Sequence, residues 1–163
     1  PMAIGRLGMQ LYLVDASGVI IDEYGPQYAQ FDVPIVDGLV PTPSAATPVV
    51  DPARARLAVR FLDALSTAPA LRQHVSQIDV SNAHNLVVLI DQDPAQLYVG
   101  DKDFVARLRR YLDMAPTLKE QISDIDYVDL RFEERIPVNR RKAAPKVVAD
   151  AQSGIASSSK GKN

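Results

Sequence analysis

The sequence predicts an α+β fold, in which an antiparallel β-sheet carries two main helices packed on one of its faces. Three observations lead to this fold class. Residues 126–132 alternate between polar and apolar side chains, which is typical of a strand with one buried face. Residues 52–65 and 104–112 repeat apolar side chains at helical spacing. Residues 10–22 contain two short apolar runs separated by turn-forming residues, as a β-hairpin does.

The first elements along the chain are the two strands of that hairpin. Gln10–Val14 and Val19–Asp22 are predicted strands, and Gly18 between them can take the positive φ that the turn requires. The following segment, 23–50, contains five prolines, which exclude a regular helix over most of its length. Its large apolar residues, which include Phe31, indicate an irregular segment that lies along the core.

Each predicted helix has a start and a stop signal. In the first helix Asp51 is the predicted N-cap, Pro52 occupies the first turn and Pro69 marks the end. In the second, Asp101 is the predicted cap and Pro116 the stop, with a further turn or two at 117–120. The predicted inner stripes consist of Leu57, Phe61, Ala64 and Leu65 in the first helix and of Phe104, Leu108, Tyr111 and Leu112 in the second.

Three strands are predicted between and beside the helices. Ile78–Val80 is a short strand. Leu86–Ile90 is apolar on both faces, which is typical of a central strand covered by a helix on one side. Gln96–Val99 is the return strand after the turn formed by residues 91–94.

The chain is then predicted to end its fold with two closing strands. In the first, 126–132, one face is buried and the other is polar. The second, Arg135–Val138, contains Pro137, which cannot donate a hydrogen bond to a ladder and therefore predicts an edge strand. The predicted buried residues are Val128, Leu130 and Phe132, and the predicted polar face consists of Tyr127, Asp129 and Arg131.

Composition limits the classes of protein to which this chain can belong. Its 163 residues and 47% apolar content suit one domain with a sizeable core. The balance of 18 basic against 20 acidic residues argues against a nucleic-acid partner. There is no cysteine, which excludes disulfides and thiolate metal sites, and no run approaches the ~18 apolar residues of a membrane span. Because the chain begins with Pro1 rather than Met, we expect it to be a fragment of a longer protein.

A change in composition divides the chain in two. Residues 1–140 are predicted to form one domain, and residues 141–163 a disordered basic C-terminal tail. The tail is rich in small and basic residues and has no aromatic side chain, so it cannot bury enough apolar surface to offset the entropy of ordering.

The sequence offers little that would support catalysis. It contains no nucleophile elbow, no glycine-rich phosphate loop and no common spacing of metal ligands. The prediction is therefore a protein that is not an enzyme and has no metal or cofactor. The alternative is a small periplasmic hydrolase or metal-binding enzyme that uses His84 with Asp91 or Asp93.

Four segments, taken together and in order, resemble one known family. They are Leu11–Ile20 (LYLVDASGVI), Phe31–Gly38 (FDVPIVDG), the helix around Phe104–Leu112, and Tyr127–Phe132 (YVDLRF). Over roughly residues 1–140 the chain resembles the extracytoplasmic β domain of the bacterial cell-division family FtsQ/DivIB. The resemblance implies that a cytoplasmic segment, one transmembrane helix and a small POTRA domain precede this fragment, and that it lies on the periplasmic side of the inner membrane.

The resemblance also implies a function and a binding site. In this family the closing strands receive a C-terminal segment of FtsB, which adds a strand to the sheet edge, and FtsB with FtsL connects the protein to septal peptidoglycan synthesis. The expected partners are therefore FtsB-like and FtsL-like division proteins. The residues expected to bind them are Tyr127, Asp129, Arg131, Phe132, Arg135, Ile136, Pro137 and Val138.

Two interpretations of Arg131 remain open at this point. It can pair with Asp129 or Glu133 on its own face of the sheet, or it can be presented to an acidic side chain of a partner. The resemblance favours the second interpretation. The chain departs from the family pattern after the closing motif, where it has Glu133-Glu134-Arg135 and Asn139-Arg140 in place of a small turn and a late aromatic residue.

Overall fold

The computed structural model describes residues 3–15, 17–31, 33–41, 49–133 and 135–140. Within these ranges the chain forms one nine-stranded sheet, three α-helices and one short 3-10 helix, Pro26–Tyr28. The strands are β1 Ala3–Leu7, β2 Gln10–Val14, β3 Ile20–Glu23, β4 Ile35–Asp37, β5 Val75–Asn82, β6 Asn85–Ile90, β7 Asp93–Gly100, β8 Ile125–Asp129 and β9 Val138–Arg140. The helices are α1 Pro52–Ser66, α2 Pro69–Arg72 and α3 Phe104–Gln121.

The sheet is mixed, so the prediction of an antiparallel sheet is confirmed only in part. The strand order is β3-β2-β1-β4-β5-β6-β7-β8-β9. Three neighbouring pairs are parallel: β1 with β4, β4 with β5, and β7 with β8. The chain passes from β7 to β8 through α3, which is the long crossover connection that two parallel neighbouring strands require. β4, by contrast, lies between two hairpins, β1–β2 and β5–β6, that are distant in the sequence. The remaining neighbours are antiparallel.

The two long helices pack on one face of the sheet, as predicted, and enclose a single core. Alternate residues of β5 to β8, such as Ile78, Leu97 and Val128, are fully buried and belong to the same cluster as the inner faces of α1 and α3. Phe61 of α1 and Phe104 of α3 meet edge to face, with their ring centres 5.3 Å apart. The opposite face of the sheet carries no helix among the described residues.

Prolines limit the helices differently from the prediction. Pro69, which was expected only to mark the end of a helix, opens the short α2, where a first-turn proline loses no hydrogen bond. Pro116 does not stop the second helix, which continues to Gln121. Beyond the proline, Leu118 still packs against the core and Lys119 pairs with the buried Asp93. These contacts of the last turn outweigh the one backbone hydrogen bond that Pro116 removes.

The closing strands also differ from their predicted bounds. β8 ends at Asp129, because the Asp129 carboxylate accepts the backbone N–H of Arg131 and the chain turns there. Leu130 remains fully buried, but Phe132, which was predicted to be buried, is 52% exposed. The edge strand is Val138–Arg140 rather than Arg135–Val138, so the residues before Val138 belong to the connection.

The predicted tail, 141–163, lies outside the described residues, and its disorder stays a prediction. None of the helices in the described ranges combines the length and the apolar character that a membrane span requires.

Candidate partner-binding edge

The last strand, β9, forms one edge of the sheet. It pairs antiparallel with β8, Val138 opposite Val128 and Asn139 opposite Tyr127. No further strand of the described residues lies beyond it, and the other edge of the sheet is β3. The edge that β9 presents, together with the side chains around the end of β8, is called the binding edge below.

The hydrogen-bond register shows which backbone groups of the binding edge point outward. The Asp129 N–H donates to the Pro137 carbonyl at 2.9 Å, so residues 129 and 137 occupy a hydrogen-bonded position. Two residues further along, Asn139 faces Tyr127 in the same way. Because such positions alternate in an antiparallel pair, the N–H and C=O of Val138, between them, point away from β8.

This register gives Pro137 a different significance from the one expected. The proline was predicted to mark an edge because it cannot donate to a neighbouring strand. Its carbonyl, however, faces β8, and so does the position where its N–H would be. The missing donor is therefore on the inner side, and the proline leaves the outward side of the edge intact.

An arginine and three aromatic rings stand beside the binding edge, on the face of the sheet away from the helices. The rings of Tyr98 and Tyr127, on adjacent strands, are parallel within 1° with their centres 4.8 Å apart. The Cζ atom of Arg131 lies 5.9 Å from the ring centre of Tyr98 and 5.9 Å from that of Phe132. These four residues are called the Tyr98 stack below, and they form a continuous aromatic and cationic surface that extends from β7 across the end of β8.

The orientation of Arg131 is fixed by Asp129. The Arg131 Nε and Nη2 atoms donate to the two carboxylate oxygens at 2.9 and 2.6 Å, a bidentate pair. Asp129 is only 5% exposed, and these bonds from Arg131 lower the pKa of its carboxyl below the ordinary value of 3.8. The first interpretation of Arg131, a charge pair on its own face of the sheet, is therefore what the structure shows.

Two more arginines support this region from α3. Arg107 is buried and donates to the Val99 carbonyl at the end of β7. Arg110 donates to carbonyls in the connection after β8. Gly100, with φ of 80°, lies between Arg107 and Arg131, and a Cβ there would come within 2.8 Å of the Arg107 Nη1 atom.

The structure brings together part of the predicted site. Tyr127, Asp129, Arg131 and Phe132 cluster at the end of β8, and Val138 lies in the edge strand. Arg135 is exposed in the connection, Ile136 packs against the core, and Pro137 bonds to β8 through its carbonyl. The sequence-based prediction missed Tyr98, Gly100, Arg110, Asn139 and Arg140. The period-2 alternation of β7 places Tyr98 on the polar face and could have indicated it.

The alternative enzymatic site is not assembled. His84 lies in the turn before β6, whereas Asp91 and Asp93 lie beyond the other end of that strand, roughly 20 Å away at the rise of a β-strand. Asp93 is buried, accepts the Tyr111 hydroxyl at 2.5 Å and pairs with Lys119 at 3.1 Å, so it anchors α3 to the sheet. In the described part of the chain no three His, Cys, Asp or Glu side chains converge as metal ligands.

Comparison with known proteins identifies the family of this fold. A family model described as "Cell division protein FtsQ/DivIB, C-terminal" matches residues 3–131. The chain belongs to the FtsQ/DivIB family. The match includes β8, Asp129 and Arg131 but ends before β9, so that the edge strand is defined by the geometry alone.

Two curated relatives agree with this assignment to the FtsQ/DivIB family. The chain is 25% identical over 141 residues to "Cell division protein FtsQ" of Koribacter versatilis (strain Ellin345), which covers 85% of this chain and 40% of the relative. It is 23% identical over 141 residues to "Cell division protein FtsQ" of Geobacter sp. (strain M21), which covers 86% and 51%. The chain thus spans about half or less of the length of these FtsQ proteins.

Proposed function

We propose that this FtsQ/DivIB chain is a non-catalytic scaffold domain, which binds an FtsB-like and FtsL-like complex and links it to septal peptidoglycan synthesis. The observation that carries the proposal is the binding edge. β9 is bonded on one side only among the described strands, and the backbone groups of Val138 point outward from it. We further propose that the domain lies on the periplasmic side of the inner membrane and belongs to a parent protein with an N-terminal membrane helix.

The proposed mechanism is β-strand addition. A strand of the FtsB-like protein extends the sheet beyond β9, and its backbone bonds to the outward groups of the edge supply affinity. Alternate side chains of that strand extend over β9 toward Arg131 and Phe132, the members of the Tyr98 stack that follow the end of β8, and these contacts supply specificity. Aromatic rings are favourable for this purpose because they bury large areas with few rotatable bonds. Arginine is favourable here because Asp129 already holds its side chain in place.

Arg131 is the proposed contact for an acidic side chain of the partner. A guanidinium has five N–H donors, and the two bonds to Asp129 use two of them. The Arg131 side chain is still 41% exposed. The partner's carboxylate would thus meet a cation whose position Asp129 has set in advance, so that binding costs little further ordering.

An N-methyl scan of the partner tests strand addition directly. A peptide from the C-terminus of the FtsB-like protein is synthesised repeatedly, with one backbone amide methylated each time, and titrated against the domain. Amides that pair with the binding edge should lose roughly tenfold or more in affinity when methylated, since each pairing hydrogen bond is removed and the strands are held apart. Amides pointing to solvent should lose little, so the loss should alternate with a period of two residues.

The opposite edge of the sheet supplies the control. Amide hydrogen exchange at Val138 and Arg140 should slow when the unmodified peptide binds, while exchange in β3 should not change. Methylation losses without the two-residue alternation, or protection of β3 in place of β9, would contradict strand addition at the binding edge.

A further inference from the structure

Arg110 makes an unusual set of contacts for an arginine on the surface of a helix. From α3, its guanidinium donates to three carbonyls of the connection between β8 and β9: Leu130 at 3.0 Å, Phe132 at 2.8 Å and Glu133 at 3.3 Å. The side chain is half-buried and lies beside a cleft of about 500 Å³. Three acceptors turned toward one cation indicate that the connection is folded around this side chain.

The connection, residues 130–137, has few other attachments among the described residues. Its start is held by the bond from the Leu130 N–H to the Tyr98 carbonyl, and its end by the bond from Asp129 to the Pro137 carbonyl. Between these points Arg131 bonds to Asp129 through its N–H and its guanidinium, and Ile136 packs against the core. Arg110 supplies the hydrogen bonds that the structure gives to the carbonyls of Phe132 and Glu133, so it holds the part of the connection that follows the turn at Asp129.

The geometry points to Arg110 as a positioning residue for the binding edge. Arg110 lies on α3 and bonds to the connection between β8 and β9. By holding the connection, it keeps the binding edge and the Tyr98 stack at the positions that a partner strand needs. Arginine suits this role because its planar fork can serve several acceptors at once, whereas lysine is a single point charge. This inference rests on the proposed function, because the effect on a partner requires that the binding edge has one.

The test compares Arg110→Ala with Arg109→Ala, in which the neighbouring exposed arginine of the same helix is lost with the same change of charge. Two quantities are measured: affinity for the FtsB-like peptide and amide hydrogen exchange over residues 130–140. We expect Arg110→Ala to weaken peptide binding roughly tenfold or more, since several charge-assisted bonds are lost. We also expect it to accelerate exchange at Leu130, Arg131 and Asn139, whose N–H groups the native connection and register protect. Arg109→Ala should change neither quantity, and Arg110→Lys should fall between Arg110→Ala and the native protein.

Each outcome decides either the positioning role of Arg110 or the proposed function of the binding edge. Equal exchange in Arg110→Ala and Arg109→Ala would overturn the positioning role. Loss of affinity without faster exchange would also overturn it, since Arg110 would then contact the partner directly. Faster exchange in a protein whose native form does not bind the peptide would support positioning and contradict the proposed function. If Arg110→Ala does not fold, the exchange of Arg110→Lys decides, because that variant keeps the charge.

Discussion

Arg131 and Asp129 show what can be predicted for a single residue. The alternation of the closing strand placed both side chains on one face of the sheet, and a charge pair was one of the two interpretations. The sequence could not show that the strand ends at Asp129 or that the pair is bidentate, because both depend on the turn that follows. The same turn explains why Phe132 is exposed although the alternation predicted that it is buried.

For a single pair of residues, we predict a measurable coupling free energy between Asp129 and Arg131. Arg131→Ala should lower the free energy of unfolding by about 1–2 kcal/mol, because it leaves the Asp129 carboxylate buried without its partner, although the exposure of Arg131 moderates the loss. Asp129→Asn combined with Arg131→Ala should cost less than the sum of the two single changes. Urea unfolding of the four proteins measures this, and strict additivity would show that the pair contributes nothing.

Acid provides an independent check on the same pair. Because Arg131 lowers the pKa of Asp129 in the folded protein, ionised Asp129 contributes stability fully above its ordinary value of 3.8. That contribution is lost as the pH falls below 3.8 and through the lower folded value. The Asp129→Asn variant should lack this part of the acid dependence.

A separate prediction concerns the partner. Arg131→Glu should weaken binding of the FtsB-like peptide by roughly 2 kcal/mol or more, because it would repel an acidic side chain of that peptide. Titration of the peptide against the native protein and the variant measures this loss of affinity.

At the scale of elements, the long helices and the hairpins from β2 onward were predictable, whereas β1 and β4 were not. α1 begins where Asp51 and Pro52 indicated, and the Asp51 carboxylate accepts the N–H groups of Ala53 and Arg54. β4 is too short for a period to be visible, and α3 passes through Pro116 because of contacts that are distant in the sequence. Asp101 is not the cap of α3, since Asp103 occupies that position.

Gly100 joins β7 to the loop before α3, and we predict that Gly100→Ala is destabilising by about 1–2 kcal/mol or more. Its φ of 80° is unfavourable for a residue with a Cβ, and that Cβ would lie 2.8 Å from the Arg107 Nη1 atom and 3.2 Å from the Arg131 Cγ atom. Gly8→Ala is the matched control, because Gly8 has φ of 64° and nothing within 4 Å of a Cβ. Thermal melting should show a larger loss for Gly100→Ala, and equal losses would mean that crowding by the arginines has no effect.

At the scale of the whole molecule, fold class and family were predictable, whereas strand order was not. Mixed parallel and antiparallel pairing arises from which distant segments come together, and local periodicity carries no information about that.

The prediction for residues 141–163 rests on composition alone. Truncation after Arg141 should leave the melting temperature almost unchanged, since the removed segment has no apolar periodicity. A drop of several degrees, on the order of 1 kcal/mol, would show that this segment docks.

The three-residue strand β4 is a narrow joint within the sheet. Among the strands that the structure describes, it alone connects β1 to β3 with β5 and its neighbours, and it pairs with Ile4 and Gly5 on one side and with residues 77–79 on the other. We predict that, despite the core contacts of Ala3 and Val14, this short joint lets β1 to β3 separate transiently while the rest of the sheet stays closed. The binding edge lies in that larger part, at the far end of the sheet from β3. A partner strand bound there would protect its own half of the molecule and leave the fluctuations of the N-terminal strands unchanged.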